Sequence, residues 1–171
     1  MGFQKIIAAL DYSPLSKLVF DQALDLAKAN GASLKLIHCL TSEMIGEPIG
    51  TLPIELGFYP EYVGYAYHSA PTLAAGQLDK AQQWLHHYCD TAKSQGVIAD
   101  FDCQVGEPTL YLCQVAKNWK ADLLILGRRG RTGLAEALMG SVSNYVMHHA
   151  PCSVLIVQAP DLVSSDAQAN E

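Results

Sequence analysis

All the arginine in this 171-residue chain falls within one short stretch: Arg128, Arg129 and Arg131 are the only three. Guanidinium groups offer paired donors shaped for phosphate oxygens. The stretch is punctuated by Gly127, Gly130 and Gly133, residue types that let a backbone come close to a ligand. Gly140-Ser141 then opens an amphipathic segment with Val142, Tyr145 and Val146 on its apolar side, which sets the N–H groups of a helix start beside the glycine loop. Residues of these types at this spacing bind an anion, and a phosphate group suits them best.

The flanking elements make the arrangement specific. Leu123 to Leu126 is a continuous apolar run of the kind that forms a strand buried on both faces, and Val154 to Val157 is a second one after Pro151 stops the helix. Strand, glycine loop, helix and strand follow in that order. Neither G-x4-G-K-[ST] nor G-x-G-x-x-G occurs, so the two commonest nucleotide loops are not in play.

The rest of the chain reads as repeats of the same alternation. Residues 4–10 form a short buried strand ending at Asp11, and Ser13-Pro14 signals a helix start with Ser13 as N-cap. Leu15, Leu18, Val19, Ala23, Leu26 and Ala27 make its apolar face, and Asn30-Gly31 ends it. Ser33 to Leu40 is a second strand. A helix with Ala74, Leu78, Ala81, Leu85, Tyr88 and Ala92 on one face ends at Gly96, and Val97 to Val105 is a third strand. Gly106-Glu107-Pro108 turns into a helix before the fourth strand, 121–126. Five strands alternating with four helical segments predict a single open parallel sheet with helices on both faces, Rossmann-like. With strand order 3-2-1-4-5, ligands bind beyond the carboxyl ends where the order reverses, between Asp11 and Gly127.

Gly127-x2-Gly130-x9-Gly140-Ser141 resembles the G-x2-G-x9-G-[ST] signature of the universal stress protein family in its ATP-binding branch. The resemblance runs from the first strand to the last. It implies an ATP-binding stress-response protein with Mg²⁺ accompanying the phosphates, bound largely through them and water. Asp11 would hold the ribose hydroxyls, and the backbone around Cys39 would meet the adenine edge. Gly127 and Gly130 would let the chain approach the triphosphate, while Gly140 and Ser141 present N–H groups and a hydroxyl at the helix start. Arg129 lies at a ligand-contacting position of the family, and Leu126 and Val142, beside the motif glycines, complete the implied set. The family also pairs its fifth strand with a second copy, so strand 152–158 is expected to form a homodimer.

Composition bounds what else the chain can be. A formal net charge of −6 leaves no basic face for nucleic acid. Nothing is long and apolar enough to span a bilayer, and no targeting segment is visible, so a cytoplasmic protein is expected. Cys39, Cys89, Cys103, Cys113 and Cys152 are odd in number and lack C-x-x-C spacing, the pattern of buried free thiols. The pairs His86-His87 and His148-His149 point their rings apart, which makes a poor metal chelate, and His38 within a strand reads as a satisfied core residue.

One domain is expected over 1–160, with a disordered tail over 161–171. Residues 41–71, rich in proline, glycine and tyrosine, read as a long loop that could cover a ligand, meet a partner or pack on the domain edge. The glycine loop has no lysine, and Glu136 is its only carboxylate, so efficient catalysis is not indicated. A nucleotide-dependent regulatory or interaction switch with an unknown protein partner is the primary reading. A weak ATP-hydrolysing enzyme and a nucleotide-free interaction module are the alternatives. ATP, AMP and cyclic nucleotides are not distinguished by the residues.

Overall fold

Five segments pair side by side as β1 (Lys5–Ala9), β2 (Ser33–Leu40), β3 (Ala99–Val105), β4 (Leu123–Gly127) and β5 (Ser153–Val157). They form one parallel sheet of order β3-β2-β1-β4-β5, as the alternation of the sequence predicts. The computed structural model describes residues 2–41, 60–128 and 140–158, and for 60–74 the helical backbone only. Its helices are α1 (Leu15–Asn30), α2 (Pro60–Ser94), α3 (Pro108–Trp119) and α4 (Ser141–His149). None of them is long and apolar enough to cross a membrane.

Successive strand residues point to opposite faces, and here both faces are covered. Ile6, Ala8, Leu34, Leu36, Leu123 and Ile125 pack against α1 and α2. Ile7, Ile37, Leu124 and Leu126 pack against α3 and α4. The buried stripe of α1 is Ser16, Val19, Phe20, Ala23, Leu24 and Ala27, turned relative to the expected face so that Leu15, Leu18 and Leu26 are only partly covered. Gly31, at φ 64°, takes the left-handed conformation that closes α1.

Two readings of the sequence are corrected. Residues 60–71, expected as part of a loop over 41–71, are helical, because α2 begins at Pro60. Proline at the first helical position lacks only an N–H that would have no intrahelical acceptor, so there it starts a helix. The remainder of that segment, 42–59, lies outside the described residues, as do the tail 161–171 and the loop residues 129–139. Ser13 is not the N-cap of α1. The helix starts one residue later, after Pro14, and the Ser13 hydroxyl donates to Asp11 Oδ1 instead. That charge-assisted bond fixes the Ser13 side chain towards Asp11, and no side chain among the described residues caps the first turn of α1.

The two outer strands differ. On β3 the Phe101 N–H is taken by the carboxylate of its own neighbour, Asp100, at 2.8 Å, and that aspartate also pairs with Lys35. β5 carries the sequence SVLIV and no charge. Ser153 N–H and Val157 C=O bond towards β4, so the backbone groups of Val154 and Ile156 face outward from the sheet.

Candidate functional site

β1 and β4 are neighbours, with Ala9 opposite Leu126, and the chain leaves them in different directions. A cleft opens at that reversal point, of about 790 Å³ counting the space at its mouth. Asp11, Cys39, Leu126, Gly127, Gly140, Ser141 and Val142 all line it. Residues separated by more than a hundred positions are thus gathered by the strand order alone. Arg129 and Gly130, expected at the same site, lie outside the described residues, as does Glu136.

Asp11 follows β1 directly. Its Oδ1 accepts from the Ser13 N–H at 2.9 Å, from the Ser13 hydroxyl and from the Ser16 hydroxyl at 2.9 Å. The Asp11 N–H donates in turn to Ser16 Oγ at 2.7 Å. Ser16 is buried within the apolar stripe of α1, so this serine serves the aspartate and not solvent. Hydrogen bonds to an ionised acceptor are the strong ones, and here they fix the carboxylate at the rim of the cleft.

The peptide unit joining Leu10 to Asp11 is held from its other side as well. His38 Nδ1 lies 2.8 Å from the Leu10 carbonyl oxygen. A carbonyl only accepts, so Nδ1 carries the proton. Burial pulls the His38 pKa below its usual value, against smaller opposing effects of the Leu10 hydrogen bond and the Asp11 charge, so the ring is neutral at pH 7.

Cys39 sits on the opposite face of β2 from His38 and forms part of the cleft wall. Burial pushes its thiol up to about 12, helped by the nearby Cys103, Asp102 and Glu107. A thiol so far from ionisation is a wall and not a nucleophile.

On the facing side, Gly140 precedes α4 with an extended ψ of 152° and no side-chain cap. Its carbonyl accepts from the Asn144 N–H and the Ser143 hydroxyl, each at 2.9 Å. The first N–H groups of the helix, from Ser141 onward, have no intrahelical acceptors and carry the positive end of the helix dipole. The floor between Asp11 and α4 is apolar, made by Ala9, Ile37, Leu112 and Leu126. A carboxylate on one side, N–H groups with no side-chain cap among the described residues on the other and an apolar floor between suit a ligand with a polar sugar, a phosphate and a flat ring.

Sequence reasoning missed Ser13, Ser16, Thr41, Pro108 and Ser143, which also line this cleft. Ser16 and Ser143 had a signal: each is a polar residue inside an apolar helical stripe. Among the described residues no three His, Cys, Asp or Glu side chains gather to hold a metal. A cation here would therefore depend on ligand phosphates and water for most of its coordination.

A sequence model described as the universal stress protein family matches residues 2–158. The chain is 40% identical over 162 residues to universal stress protein Sll1388 of Synechocystis, covering 92% of this chain and 99% of that one. Its fold is similar to that of the protein MJ0577, with a TM-score of 0.74 at 18% identity, over 94% of this chain and 99% of the other. It is also similar to that of a universal stress protein family protein from Arabidopsis thaliana with AMP bound. There the TM-score is 0.59 at 20% identity, over 95% of this chain and 97% of the other.

Proposed function

The chain belongs to the universal stress protein family, and from that premise we propose that it binds ATP in the β1–β4 cleft and acts as a nucleotide-dependent regulatory switch. The observation that carries this reading is the meeting, in one cleft, of Asp11 with the uncapped start of α4. Asp11 holds the ribose hydroxyls. The backbone around Cys39 meets the adenine edge, and Leu126 lies beneath it. The N–H groups at Gly140, Ser141 and Val142 take phosphate oxygens. Gly127, Arg129 and Gly130 complete the phosphate side, and a Mg²⁺ ion, held largely by the ligand itself and by water, would neutralise phosphate charge there. The AMP held by the Arabidopsis relative supports an adenine nucleotide.

The switch works in the cytoplasm, in keeping with five thiols that are all free. It acts as a homodimer paired through β5, whose outward edge carries no charged residue, whereas the β3 edge is guarded by Asp100. Nucleotide would change the surface offered to a protein partner.

The test is calorimetric titration of nucleotide-stripped protein with ATP and Mg²⁺, beside Gly140→Val and Asp11→Ala. Binding by the parent, lost in Gly140→Val and weakened in Asp11→Ala, is the expected result. No heat with ATP, ADP, AMP or cyclic AMP, in a protein shown to be folded, overturns it.

A further inference from the structure

His38 is 1% exposed, the largest of the buried polar side chains among the described residues. One of its two nitrogens, Nε2, has no hydrogen-bond partner among those residues. Burying a polar atom unpaired costs stability, and a leucine would fill the same space without that cost. The compensation must lie in what the other nitrogen does. Nδ1–H makes a single bond, to the Leu10 carbonyl at 2.8 Å.

That carbonyl belongs to the same rigid peptide unit as the Asp11 N–H, which Ser16 Oγ accepts at 2.7 Å. The plane entering Asp11 is gripped at both poles, by a histidine of β2 and a serine of α1. The histidine itself cannot swing. Tyr12 stands with its ring centroid 4.7 Å from the imidazole and Trp84 of α2 at 5.4 Å, and those two rings are 4.9 Å from each other. The packed rings fix the imidazole, the imidazole fixes the peptide, and the peptide sets the direction in which the Asp11 carboxylate leaves β1.

We propose that His38 is a positioning residue for nucleotide binding, acting through the Leu10–Asp11 peptide to aim Asp11 at the ribose hydroxyls; this rests on the ribose role given to Asp11 above. It touches no ligand itself, because it lies on the far face of β2 from the cleft wall at Cys39.

The test compares His38→Asn, whose side-chain amide nitrogen can stand where Nδ1 stands, with His38→Leu and His38→Gln. Leucine offers no donor, and the glutamine amide reaches towards the Nε2 position instead. All are first shown to be folded by circular dichroism, and Gln serves if Leu does not fold. ATP affinity is expected to fall about tenfold without the donor and to stay within about threefold in His38→Asn. Against 2′,3′-dideoxy-ATP the Leu and Gln losses should vanish, because the hydroxyls that Asp11 would hold are gone. Equal losses on both nucleotides, or an Asn variant no better than Leu, make His38 a packing residue only and overturn the proposal.

If the parent binds no ATP, the ribose reading has failed on its own, and the amide exchange rate of Asp11 then decides the role of His38 without ligand. Faster exchange in Leu and Gln than in Asn upholds the grip on the peptide. Equal rates overturn it.

Discussion

Leu15 occupies the space that any side chain on Gly127 would need. A Cβ added there would stand 2.7 Å from Leu15 Cδ2 and 3.1 Å from Leu15 Cγ, with Val19 Cγ2 at 3.5 Å. Gly127 ends β4 on the face that packs against α1, so the glycine permits the first turn of that helix to seat on the sheet. Its place in the glycine motif therefore has a packing cause on one side of the backbone, whatever ligand stands on the other.

Gly127→Ala is accordingly expected to push the tip of the half-buried Leu15 side chain aside at a cost of about 1 kcal/mol, the low end of overpacking, read as a slightly lower melting temperature. Leu15 also lines the cleft, so its displacement should weaken nucleotide as well. Adding Leu15→Ala should recover part of the stability. A loss of affinity at unchanged stability would instead assign the glycine to the ligand alone.

Ser16→Ala removes both the acceptor of the Asp11 N–H and one donor to Asp11 Oδ1. The expected loss is about 1 kcal/mol in urea unfolding, that of hydrogen bonds to part-buried groups that water can reach. Ser13→Ala should cost less, because the Ser13 backbone N–H keeps its bond to the same oxygen.

Lys120 closes α3 in the left-handed region at φ 55°, the only non-glycine residue with positive φ among those described. Its side chain is exposed. Lys120→Gly should relieve strain and gain about 1 kcal/mol, seen as a raised midpoint in urea.

Alkaline pH should weaken the fold through its thiols. Burial raises Cys39 to about 12, from an ordinary value of 9.0. Cys103 is raised to about 11 by burial and by Asp102. Both remain protonated in the folded chain after they have ionised in the unfolded one. Their contribution is whole below pH 9.0 and is lost as pH climbs to about 12. Melting temperatures at a series of pH values should fall over that window, and Cys39→Val should fall less steeply. Rapid alkylation of Cys39 by iodoacetamide in the native protein at pH 8 would contradict the assignment.

The Val154 N–H faces away from β4, so proline there removes no bond within the sheet. Light scattering is expected to give a dimer for the parent and a folded monomer for Val154→Pro. A variant that remains dimeric would place the contact elsewhere.

The strands were legible because buried parallel strands leave continuous apolar runs, as at Leu123 to Leu126 and Val154 to Val157. Their alternation with helices leaves few topologies open. Gly140 and Ser141 were legible from motif spacing, since a loop and a helix start adjacent in sequence must also be adjacent in space, and Asp11 from its place after the first strand, where the strand order reverses. What escaped was whatever depends on contacts across elements. Residue counts give no hint that Gly127 makes room for Leu15, nor that Ser16, buried in the stripe of α1, bonds to Asp11. His38 reads as a satisfied core residue, yet among the described residues only its Nδ1 is bonded. Pro60 lies in the proline-rich stretch that reads as a loop, although at the first position of α2 its ring is a start signal.

The unlike margins of the sheet bear on stoichiometry. Asp100 occupies an outward N–H of β3, which handicaps that margin as a template for another strand. β5 has no such guard. If β5 pairs as proposed, the chain has a valence of one: two copies joined there about a twofold axis would make a continuous ten-stranded sheet with a guarded strand at either end, and further growth would have nowhere to attach. A single aspartate on the far side of the molecule would thus separate a closed pair from an open-ended fibre.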